Sequence, residues 1–237
     1  MSFGRLVGTA LEFVFKNIHV SANSMAKNRT NSPYTAALTG CSFMFYEMNR
    51  CLPIFLSSDA DQLKKQEVEE NRLLMVNSLI SRKRFLDEFQ RRFNAVPRAF
   101  WLWYQSLNES AQRAALFYVM MKTYRLIFDF HFNVTVKRWK SADRFISKSD
   151  IMMEFNEISA KDDFVDSWSD NTKDRCASQY LTFLRHAGMM DEKTNELLPF
   201  RFSPGDVEYY FHSGDQWFLE ASLLFPDEIE DLKSQLQ

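Results

Sequence analysis

The sequence has few residues that interrupt secondary structure. Among 237 residues there are only 6 Gly and 6 Pro, against 23 Phe, 8 Tyr and 5 Trp. Few turn formers and many large apolar side chains favour long helices over a strand-rich sandwich. A hydrophobic content of 46% and a charged content of 25% are typical of a globular chain and exclude a disordered or fibrous protein.

The cysteine content is also low. Cys41, Cys51 and Cys176 are an odd number of cysteines, and no CxxC spacing occurs. This pattern excludes a disulfide framework and a zinc finger, and it fits a reducing cytosol. Because Cys41 and Cys51 lie in an apolar stretch, we expect both to be small core residues.

No stretch of the sequence is long and apolar enough to predict a membrane span. Residues 3–15 form a short apolar run without a convincing cleavage site. The run at 36–56 is interrupted by Glu47, Asn49 and Arg50, each of which is costly inside a bilayer. Residues 21–32 are polar and linker-like. We therefore expect residues 1–31 to be a leader outside the fold, and the protein to be cytoplasmic with no membrane partner.

Motifs that carry catalytic or cofactor chemistry are absent from the sequence. The four histidines are far apart, and neither HExxH, GxxxxGK nor GxGxxG occurs. His131 lies two residues from Asp129, but residues two apart on a helix do not face each other, so we expect a buried or half-buried structural histidine. The sequence predicts a protein that is not an enzyme and has no cofactor or metal site. A nuclease is the least favoured alternative.

The near-neutral net charge of −2 hides two halves of opposite sign. Residues 1–148 carry 22 Lys and Arg against 12 Asp and Glu, a balance of +10, whereas residues 149–237 carry 7 against 19, a balance of −12. Such a split indicates nucleic-acid binding by the basic half or contact between the two halves. A third interpretation is that the two halves have solvent-exposed surfaces that differ in charge without any functional consequence. The change of sign also predicts a domain boundary near Lys148.

Helical periodicity dominates the first half. Apolar residues recur every three to four positions over 67–93 and over 110–139, and no Gly or Pro interrupts either segment. Between them, PRAFWLWYQSL predicts a short aromatic helix with Trp101 and Trp103 in the core. A helix over 34–55, with Pro53 near a kink or an end, completes a helical bundle over 32–148.

The second half has shorter elements. Ser149 is the expected N-cap of a helix, and residues 172–187 predict another that ends at Gly188. Two short apolar runs around DEKTNE predict a β-hairpin. Ser203 to Asp206 has capping-box spacing, and residues 216–225 predict a last helix before an acidic tail at 226–237.

The order of these elements predicts the fold class. The expected protein is mainly α, with a helical N-terminal bundle followed by a winged helix-turn-helix-like C-terminal domain, residues 149–225, that carries the short β-hairpin. Winged helices also serve as protein-interaction modules, so the outline alone does not fix the partner.

Clusters of basic side chains are the candidate contacts to double-stranded DNA, since such clusters neutralise backbone phosphates. In the first half they are Arg82, Lys83, Arg84, Arg91, Arg92, Lys137, Arg138 and Lys140. In the winged unit the exposed candidates are Lys173, Arg175, Gln179 and Arg185, weakened by the neighbouring Asp170 and Asp174. The alternative is a solvated helix face with local ion pairs, for example from Asp87 or Glu88 to the two arginines that follow.

Four segments carry a resemblance to a known family. They are SPYTAALTGCSFMFYEMNRCLPIFL (32–56), EENRLLMVNSLISRKRFLDEFQRRF (69–93), KTYRLIFDFHFNVTVKRW (122–139) and LTFLRHAGMM (181–190). Together they resemble the BrxA family, a component of BREX bacteriophage-exclusion systems. The similarity covers roughly residues 32–225 and has no diagnostic catalytic motif.

The resemblance implies a mostly helical cytosolic protein that binds DNA within the phage-defence machinery and has no catalytic role. Other BREX-type proteins are its implied further partners. The family has also been labelled an inner-membrane protein, which the hydropathy of this sequence does not support. An alternative function is a protein–protein interaction module, in which the acidic C-terminal domain docks on a basic partner or masks the basic half.

Overall fold

The computed structural model describes residues 31–40 and 42–236, and most of these are helical, as the sequence predicts. The first half contains a 3-10 helix (Ala36–Gly40), α1 (Phe45–Leu56), α2 (Ala60–Glu70), α3 (Leu79–Asn94), α4 (Arg98–Tyr104), α5 (Glu109–Thr123), α6 (Arg125–Phe130), a π-helix (His131–Val136) and α7 (Lys137–Trp139). The second half contains α8 (Lys148–Ser159), α9 (Asp163–Asp166), α10 (Asp170–Ala187), α11 (Pro204–His212), α12 (Trp217–Ala221) and α13 (Pro226–Ser234).

Helix α5 is the centre of the fold. Its residues from Ala114 to Met121 are all buried, because they are apolar on every side of the helix. It packs against α3 from the first half and against α10 from the second. The described residues from Tyr34 onward form one compact unit around it. The proposed domain boundary near Lys148 stays a prediction.

The prediction of one continuous helix over 67–93 is wrong, because a loop at 71–78 separates α2 from α3. Asn71 ends α2 in the left-handed conformation, with φ 53°. The carboxylate of Glu67 accepts backbone hydrogen bonds from residues 72, 73 and 74, which draws the chain away from the helix axis. Ser78 then caps the start of α3. Side-chain competition for backbone N–H groups therefore overrides the apolar repeat.

Two other long helices are also divided. The segment predicted over 110–139 breaks at Tyr124, whose extended backbone (φ −124°, ψ 109°) separates α5 from α6. The chain then continues through the π-helix into α7. The segment predicted over 34–55 is the 3-10 helix followed by α1, and Pro53 lies inside α1, close to its C-terminal end.

The second half matches its predicted helices more closely. Helix α10 ends at Gly188, which has φ 86°, and Ser203 and Asp206 form the predicted capping box of α11. Two predictions need correction. Ser147, not Ser149, caps α8, because its side chain pairs with Asp150 in a capping box. The acidic tail is helical, as α13.

The predicted β-hairpin is not confirmed as a pair of strands. In the described part of the chain, extended pairing is limited to two isolated antiparallel bridges, Met190 with Leu197 and Phe145 with Glu196. The segment after α10 therefore forms one bridge within itself and one bridge to the residues that precede α8.

The core contains two of the residues that sequence analysis places there, Trp101 and Cys51. Trp101 and Cys51 have no exposed surface, whereas Trp103 is half-buried and stacks on Tyr209. His131 is fully buried, as predicted, between the Tyr180 hydroxyl (2.9 Å) and the Ala221 carbonyl (2.6 Å). Cys41 and the predicted leader, apart from Asn31, lie outside the described residues.

Candidate nucleic-acid interface

One face of α3 carries exposed cations along a shallow groove. Successive residues of this face are separated by one, three or four positions, a spacing that keeps them on one side of the helix. They are Ile80, Lys83, Arg84, Asp87 and Arg91. Together with Ala37, Thr39, Gly40 and Glu88 they line a groove of about 510 Å³. We call Lys83, Arg84 and Arg91 the α3 basic face.

Lys83 and Arg84 have the charge and exposure that phosphate contact needs. Both are exposed, and neither forms an ion pair with another described residue. Arg84 lies over the Phe85 ring at 5.4 Å, which leaves its guanidinium at the surface. These two side chains therefore keep their full positive charge available to solvent.

Arg82 and Arg91 have further contacts within the fold. Arg82 is half-buried and donates a hydrogen bond to the Val76 carbonyl (3.2 Å), so it fastens the loop before α3. Arg91 is 51% exposed and pairs with Glu88 at 2.9 Å. Arg91 can still present part of its guanidinium to a ligand, whereas Arg82 has a positioning role.

The prediction that Arg92 contacts DNA is wrong. Its side chain has no exposed surface, and it binds the Glu88 carboxylate at 2.8 Å. Its other nitrogens donate to the Phe43 carbonyl (2.8 Å) and the Ser42 carbonyl (2.9 Å). Arg91 and Arg92 are about 100° apart around the helix, so one faces solvent and the other the core.

The second predicted cluster is largely occupied by acids. Arg138 pairs with Asp143 and Asp150, and Lys140 pairs with Glu220 at 2.5 Å. Lys137 is exposed and lines a separate groove of about 370 Å³, into which α8 places Asp150, Glu154 and Glu157. An approaching phosphate would meet these carboxylates, so this cluster is a poorer anion site than the α3 basic face.

The pKa values of Asp150 and Glu154 in this groove are shifted in opposite directions. Partial burial acts to raise the pKa of Asp150, but hydrogen bonds from Ser147 and the charge of Arg138 hold it below its ordinary value. Burial raises the pKa of Glu154, although Asn133 donates a hydrogen bond to it. Asp150 is therefore a firmly ionised partner of Arg138.

Ion pairs join the two oppositely charged halves of the chain. Four of them connect a cation of residues 1–148 to an acid of residues 149–237: Lys122–Asp215, Arg138–Asp150, Lys140–Glu220 and Lys148–Asp174. The charge split therefore reflects contact between the halves, at least in part. The α3 basic face takes no part in these four pairs, and two of its members, Lys83 and Arg84, form no ion pair with another described residue.

Of the candidate DNA contacts on α10, some are engaged within the fold and one is exposed to solvent. Lys173 is only 12% exposed, and its ammonium contacts the Asp166 carbonyl (3.3 Å) and carboxylate (3.9 Å). Arg185 donates to Asn195 at 2.8 Å, and the amide nitrogen of Gln179 is buried. Arg175 is exposed and is the remaining α10 cation that a ligand can reach directly.

Sequence reasoning missed the apolar member of the α3 face. Ile80 is 79% exposed and lines the same groove as Lys83 and Arg84. An apolar residue three and four positions before two exposed cations is the signal that could have found it. In residues 31–40 and 42–236, no group of three or more His, Cys, Asp or Glu side chains could hold a metal ion.

Comparison with known proteins identifies the family. The family model for BrxA matches residues 32–212. The chain belongs to the BrxA family. The matched region of this BrxA-family protein contains the α3 basic face, α10 and both bridges. Membership of the family suggests a role related to BREX systems.

A solved structure shares the fold of this BrxA-family chain. The crystal structure of an uncharacterized protein from Magnetospirillum magneticum matches with a TM-score of 0.69 and 20% sequence identity, over 81% of this chain and 98% of that chain. No curated protein matches the chain. Among the described residues, none of the helices has the length and apolar character to cross a membrane.

Proposed function

We propose that this BrxA-family protein is a non-catalytic accessory protein of a BREX-like phage-defence system, and that it binds duplex DNA mainly through backbone phosphates. The observation that carries the proposal is the α3 basic face. Lys83 and Arg84 are exposed cations without acidic partners in the described chain, while most other predicted cations are paired or buried. Such contacts would position the DNA without reading its sequence.

The dimensions of the α3 basic face fit a nucleic-acid backbone. Lys83 and Arg91 are eight residues apart on one helix, which corresponds to about 12 Å. A DNA strand carries one phosphate per roughly 3.4 Å of axial rise, so this length spans three to four phosphates. Asp87 lies between the cations, and this reduces the number of phosphates that the face can hold closely.

The C-terminal half supplies a second contact in this proposal, through a winged helix-turn-helix-like arrangement. Helices α8, α9 and α10 are followed by the segment at 190–197, and residues 196 and 197 bridge to Phe145 and Met190. This order supports a minimal wing beside α10, with Arg175 as its exposed cation. Asp170 and Asp174 on the same helix make this contact weaker than the one from α3.

The proposal gives the protein no catalytic group of its own. Burial raises the pKa of both described thiols, Cys51 and Cys176, to about 12, so neither is a ready nucleophile. Both ring nitrogens of His131 are engaged inside the core. The proposed partners are double-stranded DNA and other BREX-type proteins, and not a membrane. The proposed location is the cytoplasm, where that DNA would be met.

A second candidate function is a protein-interaction module that uses the acidic C-terminal half. Helix α13 supports it, because none of its residues is buried and its exposed side chains include Asp227, Glu228, Glu230 and Asp231. A basic partner could dock on this helix without disturbing the core. We favour DNA as the partner because the α3 basic face is also exposed. No acid of α13 forms an ion pair with this face in the described part of the chain, so its charge stays available for phosphates.

Replacing Lys83 and Arg84 together with Ala should weaken DNA binding for every sequence tested. Each phosphate contact contributes about 0.9 to the slope of log affinity against log salt, so the double variant should lose nearly two units of slope. Its affinity should fall about ten-fold or more at low salt. Fluorescence anisotropy with a labelled random-sequence duplex, at several salt concentrations, measures both quantities.

A matched control removes the same charge elsewhere. Lys161, between α8 and α9, is exposed, and Lys233 on α13 has a side chain that is 45% exposed; each lies near one acid of its own segment. The Lys161→Ala, Lys233→Ala variant should keep the wild-type slope to within a few tenths of a unit. Equal losses in the two double variants would show a general effect of net charge and would refute the assignment of the site to α3.

A further inference from the structure

The loop before α3 and the first turn of that helix expose three large apolar side chains. Met75 is 73% exposed, Leu79 46% and Ile80 79%. Single exposed apolar residues are ordinary in proteins, but three within six positions form a concentrated apolar tip. Leu79 and Ile80 lie about one helical turn before Lys83 and Arg84, and Ile80 lines the same groove as these two cations. We call Met75, Leu79 and Ile80 the apolar tip.

The chain that carries the apolar tip is held firmly. Glu67 accepts backbone hydrogen bonds of 2.9 and 2.8 Å from residues 73 and 74, and the Leu74 side chain beside Met75 is 2% exposed. The Asn71 side chain accepts from the Val76 backbone at 2.8 Å. Met75 itself has φ 54°, a conformation that is unfavourable for a residue with a Cβ. A fixed loop that exposes apolar groups is suited to an intermolecular contact.

We infer that the apolar tip is a wedge that inserts at a base step of duplex DNA while Lys83 and Arg84 hold the adjacent phosphates. This inference rests on the proposed function. Proteins that bend DNA commonly insert Leu, Ile or Met side chains between base pairs and partly unstack them. The combination fits a duplex because DNA presents phosphates and stacked bases within a few ångströms of each other. The complex therefore contains bent DNA, and the protein prefers sites that unstack easily.

The preference follows from the cost of opening the stack. A mismatched or flexible step unstacks at a lower cost than a fully paired one, so more of the wedge's contact energy appears as affinity. The wild-type protein should bind a duplex with one central mismatch about ten-fold more tightly than the same duplex fully paired. A Förster transfer pair at the duplex ends should report bending on binding.

The test replaces the two most exposed side chains of the apolar tip and leaves the cations unchanged. In the Met75→Ser, Ile80→Ser variant both exposed side chains become polar, so the thermal unfolding curve should not move. The mismatch preference should fall to about two-fold or less and the bend should decrease, while the salt slope stays at the wild-type value. Leu102, which is 55% exposed on α4, provides the matched control as Leu102→Ser, and this variant should behave as wild type.

The outcomes separate this inference from the proposed function. Unchanged bending and unchanged mismatch preference in the Ser variant, with binding intact, would overturn the wedge and leave phosphate binding in place. If the same variant instead lost its pull-down of a neighbouring BREX-type protein, the tip would be a protein-docking surface and the wedge would again be overturned. Failure of the wild-type protein to bind either duplex would refute the proposed function, and the wedge with it.

Discussion

An Arg92→Met variant loses about 3–5 kcal/mol of its free energy of unfolding, the usual cost of removing one partner of a buried ion pair. The Glu88 carboxylate is only 4% exposed, and without Arg92 it stays buried with its charge poorly compensated. The substitution also leaves the carbonyls of Ser42 and Phe43 without their donor. Because domains are stable by about 5–15 kcal/mol in total, urea unfolding should show a large fall in the midpoint.

Arg91 provides the control for this prediction, since it precedes Arg92 and pairs with the same carboxylate. Arg91→Met should change the free energy of unfolding by less than about 1 kcal/mol, because the Arg91 side chain is 51% exposed. DNA binding should show the reverse order. When only folded protein is compared, Arg91→Met should bind DNA more weakly than Arg92→Met. Equal stability of the two variants would contradict the buried role of Arg92.

Acidification should destabilise the protein through His131. Burial lowers the pKa of His131 from 6.5 to about 4, although its hydrogen bond to the Ala221 carbonyl acts in the opposite direction. Above about pH 6.5 the imidazole is neutral in both states and contributes no pH dependence. As the pH falls below that value, the unfolded chain binds a proton that the folded chain does not. The free energy of unfolding should therefore fall by about 2 kcal/mol between roughly pH 7 and pH 5, and by about 3 kcal/mol by pH 4.

The hydrogen bonds of His131 explain why the folded state resists protonation. A carbonyl oxygen can only accept, so the nitrogen that faces Ala221 must donate. The other nitrogen therefore accepts from the Tyr180 hydroxyl, which lies 2.6 Å from the Thr135 hydroxyl. A second proton on the ring would require this buried chain of hydroxyls to reverse.

Chemical denaturation at several pH values measures the effect of His131. The His131→Gln variant should be less stable at neutral pH, yet its free energy of unfolding should change much less between about pH 7 and pH 5. A wild-type slope retained in this variant would show that another group causes the pH dependence.

The sequence predicts the existence of most helices but not where they end. The apolar repeat over 67–93 continues through a loop, but its members Met75, in the loop, and Leu79, at the start of α3, are exposed and do not form a buried helix face. What ends α2 is the contact of Glu67 with three backbone amides, and periodicity contains no information about that contact. The C-terminus of α10 and the N-terminus of α11 were predictable, because Gly188 and the capping box of Ser203 and Asp206 act on neighbouring backbone groups.

The candidate site shows the same division between local and distant information. A cluster such as Arg91 and Arg92 identifies a basic segment, but the carbonyls that select Arg92 for burial are about 50 residues away in the sequence. The opposite charges of the two halves left contact between them as one of three interpretations, and four ion pairs show that contact. Which cation meets which acid depends on packing, and the pairing of Lys140 with Glu220 joins residues 80 positions apart.

Titration of the wild-type protein with a labelled random-sequence duplex, at about 50 mM and 200 mM salt, is the most direct test of DNA binding through phosphates. If Lys83 and Arg84, with or without Arg91, each contact one phosphate, the affinity should fall about ten-fold to forty-fold across this range. Absence of binding at the lower salt concentration, or an affinity that does not change with salt, would contradict the account.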